Sequence, residues 1–298
     1  MTKPQIGFLV SGPKGFSLLR GVHAECAVQF VSSHPVKGLR VDAYAEIKDF
    51  CATHGYPFLD RGAITASVLQ RASHAFVAGW QYLIEHEHDR LVVFHDSLLP
   101  KLRGFAPTVT ALIGGEPRIG VTAFRPVEEF DAGPIYAQAP IDITYPITIR
   151  EAYVALADGY TRAAREVLGS IAANTLTVDA HPQRDADATY SVWRGPDDYR
   201  IDWSWTSTRI HRFVDAVGWP YGGASTTYGQ DAIIVDRVEE RHDLTFEDRH
   251  PGKIWRIERG VPEVICGTGV IRILSAHAPD GSPVVFARVR EQLGKRSI

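Results

Sequence analysis

The hydrophobic pattern over residues 1–178 alternates between short apolar runs and longer amphipathic stretches. Short apolar runs bounded by turn residues are typical of buried strands, and apolar positions three or four apart are typical of helices. The pattern predicts a strand that ends at His95 and further strands at Gln5–Val10, Ala27–Ser32, Phe58–Leu59, His74–Gly79, Arg118–Phe124 and Pro134–Ile143. It predicts helices through Leu18, Leu19 and Val22 and over Asp42–His54, Ile64–Ala72, Ala106–Ile113 and Ile149–Asn174. Strands that alternate with helices in this way indicate an α/β domain.

The pattern changes after residue 178. Residues 179–189 are polar and without periodicity, which predicts a linker. Beyond it we predict a helix over Thr208–Val217 and then short strands at Ser225–Tyr228, Ala232–Val238, Gly252–Glu258, Glu263–Cys266 and Val270–Ala276. Several short strands at this spacing indicate a small barrel. The sequence therefore predicts two domains, residues 1–178 and 190–298, joined by the linker.

His95 stands at the end of one predicted strand. The apolar run Val92–Phe94 precedes it, and Pro100 and Gly104 mark the turn that follows. Open α/β sheets place their chemistry at the carboxyl ends of their strands. We therefore expect His95 to lie at the rim of a sheet, within a functional site.

The segment that begins at His95 carries a long, ordered motif. It fits H-x-S-L-L-P-x-x-R-G-x-A-P up to Pro107, continues with Gly120–Thr122, and ends with Asp131 and Gly133, 36 positions separating the histidine from the aspartate. This motif resembles the 10-formyltetrahydrofolate-dependent formyltransferase family, which includes methionyl-tRNA formyltransferase and the amino-sugar N-formyltransferases. The resemblance implies an α/β fold, with a Rossmann-like formyltransferase domain followed by a small OB-like β-barrel domain.

The resemblance also implies roles for particular residues. Formyl transfer to an amine needs a donor for the developing oxyanion and a base for the proton of the amine. The motif implies His95 as that donor, and Asp131 as the group that accepts the proton and orients His95. It implies 10-formyltetrahydrofolate as the co-substrate that donates the formyl group. The folate-binding residues that it implies are Tyr82, Leu83, Ile84, Glu128, Glu129 and Phe130.

Val93 departs from the family pattern. Most members carry an asparagine two positions before the histidine, where its amide can donate to the formyl oxygen, and valine has no donor. The hydrolase domain of formyltetrahydrofolate dehydrogenase is similar to this chain here, with an aliphatic residue followed by an aromatic one. Val93 therefore leaves hydrolysis of 10-formyltetrahydrofolate open as an alternative to transfer. A folate-binding protein without catalytic activity is a third hypothesis.

Other polar residues of the motif have different expected roles. Ser97, Arg103 and Gly104 are expected to shape the loop that positions the histidine. Asp96 is expected to contact solvent or the acceptor. The turn Ser11–Gly15 precedes a predicted helix, so its backbone amides could bind an anionic part of the acceptor.

Charge and one short segment argue for a small acceptor. The net charge of −3 gives no electrostatic footprint for a polyanion. The tRNA-directed members of the family that this chain resembles carry a longer, more basic insertion where this chain has only Ser33–Val41. We therefore expect a small-molecule amine as acceptor, such as an amino-sugar nucleotide or a biosynthetic amine, with methionyl-tRNA as the weaker alternative. The oligomeric state stays open, a homodimer being one option.

Metal and membrane binding are not indicated. Cys26, Cys51 and Cys266 lie far apart without a CxxC pair, so neither a zinc site nor a disulfide framework is predicted. The charged run Glu85–Arg90 is more typical of a solvated loop than of a metal site. No apolar run approaches the roughly 20 residues of a membrane span, and Met1–Gln5 leads directly into a strand. We expect a cytoplasmic enzyme without a bound metal.

Overall fold

The computed structural model describes residues 3–36, 41–84 and 88–295. Its contacts divide the chain into two compact units. The first consists of Met1–Thr108, Pro117–Ile143 and Ala152–Val192, and the second of Val109–Glu116, Thr144–Glu151 and Trp193–Ile298. The domain limits that the sequence suggested at residues 178 and 190 stay a prediction.

A seven-stranded sheet forms the centre of the first unit. The strands of this unit are β1 (Gln5–Val10), β2 (Ala27–Ser33), β3 (Phe58–Asp60), β4 (His74–Ala78), β5 (Leu91–His95), β6 (Arg103–Gly104), β7 (Arg118–Phe124), β8 (Ile135–Asp142) and β9 (Tyr190–Ser191). The sheet has the order β3-β2-β1-β4-β5-β7-β8, while β6 and β9 pair separately. The five strands from β3 to β5 are parallel, and β7 and β8 are antiparallel to their neighbours. The chain reverses its direction of winding between β1 and β4, and such a switch point opens a crevice at the carboxyl ends of the strands.

Helices alternate with these strands along the chain. They are α1 (Gly12–Val22), α2 (Tyr44–His54), α3 (Ala66–Leu69), α4 (Pro107–Gly114) and α5 (Ile149–Ala173). The first helix begins directly after β1 and packs against β1 and β4 with Leu18, Leu19 and Val22 buried. A Cβ on Gly15 would lie 2.8 Å from the carbonyl oxygen of Ala78, so glycine lets the start of α1 approach the end of β4.

Helix α3 is much shorter than the predicted helix over Ile64–Ala72. It begins after Thr65, whose hydroxyl accepts a hydrogen bond from the amide of Val68. The chain leaves the helical path because both the amide and the hydroxyl of Ser73 donate to the carbonyl oxygen of Gln5, which draws it into β4. A contact to a residue 68 positions earlier has no local sequence signal.

Helix α5 lies close to the antiparallel side of the sheet. A Cβ on Gly159 would lie 3.0 Å from the side chain of Ile141 and 3.2 Å from that of Val121, so glycine permits this approach. The next residue, Tyr160, is fully buried and its ring lies 6.2 Å from that of Phe94 on β5. The helix therefore brings a buried hydroxyl to the strand that ends at His95.

The second unit is built on a five-stranded antiparallel sheet. Its strands are β10 (Ala224–Tyr228), β11 (Asp231–Arg241), β12 (Ile254–Glu258), β13 (Val261–Ile265) and β14 (Val270–His277), in the order β10-β11-β14-β13-β12. Helix α6 (Ser207–Val217) begins after Thr206, whose hydroxyl accepts from the amide of Arg209. It buries Ile210, Phe213 and Val214 and packs against β11 and β14.

The predicted fold class is confirmed: a Rossmann-like α/β unit with a parallel-sheet core is combined with a separate antiparallel β unit. Within the described ranges, no helix has the length and apolar character needed to cross a membrane.

Candidate active site

His95 is the last residue of β5, as the sequence predicted. It pairs with Thr122 of β7, and its side chain is 10% exposed. Its Nε2 atom lies 2.9 Å from the carbonyl oxygen of Leu102. A carbonyl oxygen only accepts, so Nε2 carries a proton and donates it. Nδ1 is therefore the nitrogen left to take part in chemistry.

Asp131 lies beside that second nitrogen. Its Oδ2 atom is 3.7 Å from Nδ1 of His95, which is an electrostatic contact and too long for a hydrogen bond. The same oxygen accepts a hydrogen bond of 2.7 Å from the amide of Gly104. Asp131 has a left-handed backbone with φ of 55° and is 19% exposed. The fold thus brings together the two catalytic candidates, 36 positions apart in sequence.

The loop after His95 is fixed to the antiparallel strands by one hydroxyl and one amide. The hydroxyl of Thr122 donates to the carbonyl oxygen of Ser97 at 2.6 Å and accepts from the amide of Leu99 at 3.1 Å. The side-chain amide of Gln138 donates to the Thr122 hydroxyl and to the carbonyl oxygen of Leu99, each at 2.9 Å. These bonds hold the loop from which Leu102 reaches back to His95.

Asp96 is buried, so the solvent contact expected for it is wrong, while the alternative contact with the acceptor stays a prediction. Its side chain is 7% exposed, and its carboxylate binds Lys14 of α1 and the hydroxyl of Tyr160 of α5. The hydroxyl of Thr108 donates to its backbone carbonyl at 3.3 Å. Burial and then the charge of Asp96 raise the pKa of Tyr160 well above its usual value, so the phenol keeps its proton and donates it. The side chain of the residue after His95 is therefore tied to two helices, α1 and α5.

Val93 lies on the same face of β5 as His95, since side chains two residues apart point to one side of a strand. It is half-buried against a cluster that includes Leu9, Phe30 and Val77. Trp80 and Ile84 pack against the same cluster. The position two residues before His95 is thus aliphatic and faces apolar neighbours.

The implied folate-binding residues form two exposed segments. Tyr82 and Leu83 are exposed and Ile84 is half-buried, in the segment that follows β4. The guanidinium of Arg61 lies 3.9 Å from the centre of the Tyr82 ring. Glu128, Glu129 and Phe130 are exposed in the loop before Asp131, Phe130 by 71%. An exposed aromatic side chain at each place and the two glutamates at the second fit the binding of a flat heterocycle with hydrogen-bond donors, but their roles stay a prediction.

Two predictions concern residues outside the described ranges. These are the solvated loop expected at Glu85–Arg90, of which residues 85–87 are not described, and the short basic part of Ser33–Val41, at residues 37–40. In the remaining ranges, no cluster of three or more His, Cys, Asp or Glu side chains has the arrangement of a metal site.

Two family sequence models match the chain. The family described as "Formyl transferase" matches residues 76–168, and "Formyl transferase, C-terminal domain" matches residues 195–289. Together they span well over half of the chain and include both His95 and Asp131. The fold and the matched segments identify the chain as a transferase with an α/β fold. It belongs to the formyl transferase family, as the sequence motif implied.

Solved structures share this fold. HypX from Aquifex aeolicus in complex with tetrahydrofolic acid matches with a TM-score of 0.63 and 16% identity over 96% of this chain and 46% of HypX. The chain thus spans about half the length of HypX. An N-formyltransferase from Helicobacter canadensis, in complex with folinic acid and dTDP-3-aminofucose, matches with a TM-score of 0.64 and 15% identity over 92% of this chain and 99% of that one. The methionyl-tRNA formyltransferase from Clostridium thermocellum matches with a TM-score of 0.55 and 15% identity over 89% and 100%.

Proposed function

We propose that this chain transfers the formyl group of 10-formyltetrahydrofolate to an amine of a small molecule. The observation that carries the proposal is the pairing of His95 and Asp131 at the carboxyl end of β5. Oδ1 of Asp131 has no hydrogen-bond partner within the described residues, while Oδ2 is used by Gly104. A partly exposed carboxylate oxygen beside an imidazole can accept the proton of an attacking amine.

The bond changes of this reaction are simple. The amine nitrogen attacks the formyl carbon, and a new C–N bond forms while the bond from that carbon to N10 of the folate breaks. The proton of the attacking nitrogen passes to Oδ1 of Asp131 and then to N10, which leaves as tetrahydrofolate. Because Nε2–H of His95 stays on Leu102, the hydrogen bond to the developing oxyanion comes from Nδ1–H. The imidazolium that this requires lies beside the Asp131 carboxylate.

The proposed formyl donor rests on the family and on the ligands of its neighbours. HypX is crystallised with tetrahydrofolic acid and the Helicobacter enzyme with folinic acid. In this chain we propose that Tyr82, Leu83 and Ile84 bind the folate from one side. Glu128, Glu129 and Phe130 would bind it from the loop that leads to Asp131.

The proposed small acceptor rests on charge and on two sugar-modifying neighbours. The chain has a net charge of −3, which disfavours a polyanion such as tRNA. The Helicobacter enzyme is crystallised with dTDP-3-aminofucose, and WlaRD is described as a sugar 3N-formyl transferase. We therefore propose an amino-sugar nucleotide or a similar biosynthetic amine as the acceptor.

Hydrolysis of the formyl donor is the second candidate, and Val93 is the observation that favours it. Without a donor at this position, the site lacks one hydrogen bond to the formyl oxygen that most relatives supply. Water would then replace the amine, and the products would be formate and tetrahydrofolate. His95 and Asp131 would keep the same roles in that reaction.

The test is the absorbance change on release of tetrahydrofolate from 10-formyltetrahydrofolate. It is measured without an amine, with amino-sugar nucleotides and other amines, and with methionyl-tRNA, while mass spectrometry follows the acceptor. Transfer predicts release only with an amine and an equal amount of N-formyl product. Release without an amine, with formate, establishes the hydrolase instead. Folate binding without any turnover contradicts both reactions.

A further inference from the structure

Gln183 lies in the segment that the sequence predicts to be a linker. Just before it, His181 and Ile135 exchange two backbone hydrogen bonds of 2.8 Å, which hold this segment alongside the start of β8. Gln183 therefore follows a fixed point of the chain. Its side chain reaches the loop that contains Asp131.

The side-chain amide of Gln183 uses its hydrogen-bonding capacity fully. Its Nε2 atom donates to the carbonyl oxygens of Asp131 and Gly133, both at 2.7 Å. Its Oε1 atom accepts from Nε and Nη2 of Arg103 at 3.1 and 3.0 Å. Because carbonyls only accept and a guanidinium only donates, the amide can have one orientation only.

Arg103 gives this bridge a rigid support. Its side chain is 1% exposed, and Nη2 also binds Asp185 at 2.9 Å. Its backbone amide donates to the carbonyl oxygen of Thr189 at 2.9 Å, and its strand β6 pairs with β9. Gln183 is thus held at one end by a buried arginine from the loop after His95, and at its other end it holds the Asp131 loop.

The Asp131 loop needs such support because of its backbone. Asp131 has a left-handed backbone with φ of 55°, a conformation that a residue other than glycine keeps only where surrounding contacts determine it. The amide of Arg125 closes the base of the loop with a 3.0 Å hydrogen bond to the carbonyl oxygen of Pro134, but at the turn itself the amide of Ala132 makes only a long bond of 3.4 Å to Glu129. The two hydrogen bonds from Gln183 fix the carbonyls on either side of Ala132.

We propose that Gln183 is a positioning residue for catalysis, which acts by holding Asp131 in reach of His95 and of the reacting amine. This inference rests on the proposed function, since it assigns Asp131 as the base. Gln183 touches neither the amine nor the folate in this proposal. It sets the backbone at Asp131, and so the place of the carboxylate relative to Gly104 and His95.

The test is a double-mutant cycle on tetrahydrofolate release. Gln183→Met removes the amide at nearly constant length, and we expect kcat to fall about 10- to 100-fold, as for a misplacement of about 1 Å. KM for the formyl donor should stay within about twofold, because Gln183 bonds the carbonyls of Asp131 and Gly133, which follow the residues proposed to bind the folate. In Asp131→Asn, adding Gln183→Met should cost little more, since Gln183 acts through Asp131. Equal losses in both backgrounds, or an unchanged kcat in the single variant, overturn the proposal.

Two further variants separate positioning from general loss of structure. Gln292→Met removes a glutamine amide that donates to the carbonyl of Pro251 at 2.9 Å in the second unit, and it should leave kcat unchanged. Gln183→Glu keeps the acceptor for Arg103 but cannot donate to the two carbonyls, so it should lose kcat like the methionine variant.

A crystal structure of Gln183→Met tests the inference independently of any activity. We expect the Asp131 carboxylate to move away from the amide of Gly104, lengthening the contact that is 2.7 Å in the wild type. If the wild type releases no tetrahydrofolate, the proposed function fails while this structural readout still stands. An unchanged Asp131 loop in the variant overturns the positioning role.

Discussion

The Nε2–H group of His95 donates a 2.9 Å hydrogen bond to the carbonyl oxygen of Leu102, seven residues further along the chain. The loop between them is pinned by Thr122 and Gln138, so the acceptor carbonyl is itself fixed. This bond sets the plane of the imidazole and directs Nδ1 towards Asp131. The orientation of the histidine is therefore built into the free protein.

Replacement of His95 by alanine should remove the proposed oxyanion donor. Loss of one such donor typically costs about 10²–10³ in kcat, and we expect a loss of that size in formyl transfer. Steady-state kinetics of tetrahydrofolate release measure it, with a thermal melt as control for the fold. An alanine variant that turns over at the wild-type rate would remove His95 from the mechanism.

Asp131→Asn should separate the two roles of Asp131, as the proposed base and as the acceptor of the hydrogen bond from Gly104. Asparagine keeps an oxygen that can accept from the amide of Gly104, but it cannot take up the proton of the amine. We expect kcat to fall about 10²–10⁴-fold, the usual contribution of a general base. Asp142→Asn is the matched control, because Asp142 pairs with Arg118 on the surface of β7 and β8. Equal effects of the two substitutions would contradict the assignment.

Val93→Asn should supply the donor that this chain lacks. The asparagine side chain would lie on the same face of β5 as His95. A hydrogen bond from it to the formyl oxygen should raise the transfer rate up to about 10²-fold. The half-buried site is apolar, so the free energy of unfolding should fall by about 1–3 kcal/mol when no ligand is bound. Kinetics and urea denaturation measure the two effects.

The control for this substitution is Val93→Ala, which loses packing without gaining a donor. It should be destabilised and show no gain in rate. If the asparagine variant is no faster than the alanine variant, the lack of a hydrogen-bond donor at position 93 does not limit the rate of transfer.

Elements with a strong local pattern could be predicted from the sequence, and the family prediction is confirmed. The apolar run Val92–Phe94 and the Pro/Gly turn after it placed His95 at the end of a strand, where β5 does end. The motif also paired His95 with Asp131, and the fold brings them within 3.7 Å. The apolar pattern was enough to predict where the strand ends, and the spacing within the motif was enough to predict which two side chains meet.

Contacts between distant residues with no shared period could not be predicted. Asp96 was expected to contact solvent or the acceptor, and its actual partners, Lys14 and Tyr160, are 82 and 64 positions away in the sequence. Gln183 stands in a polar segment without periodicity, yet it bonds a loop 52 positions earlier. A polar segment that only joins two domains and a polar segment that bonds a distant loop have the same composition. The contacts of the folded chain are needed to distinguish them.

Tyr160→Phe should weaken the support behind His95. The change removes a buried donor to Asp96, and leaving that carboxylate short of a partner should lower the free energy of unfolding by about 1–3 kcal/mol. Urea denaturation measures the loss. Tyr136→Phe is the control, since Tyr136 is also buried but bonds no carboxylate in the described part of the chain. Equal stability of the two variants would show that the Tyr160 hydroxyl contributes nothing through Asp96.

Glu263 of β13 should control the stability of the second unit. Its side chain is fully buried, and its carboxylate binds Nη1 of Arg241 at 2.8 Å and Nη2 and Nε of Arg256 at 2.8 and 3.1 Å. Glu263→Gln should lower the free energy of unfolding at neutral pH by about 3 kcal/mol, because breaking a buried pair leaves charge uncompensated. Urea denaturation followed by circular dichroism measures the difference.

The pH dependence of that difference gives the sharper test. Burial alone would raise the pKa of Glu263, but the hydrogen bonds from Arg256 and Arg241 lower it below its usual value. The folded protein therefore binds this proton less readily than the unfolded chain, whose glutamates titrate at about 4.3. The stabilisation is fully present above that pH and is lost as the pH falls through the lower pKa of the folded state.

We expect the difference in free energy of unfolding between wild type and Glu263→Gln to stay constant from about pH 7 to 5 and to shrink below about pH 4. A gap that persists unchanged at low pH would mean that the arginines do not stabilise a charged Glu263.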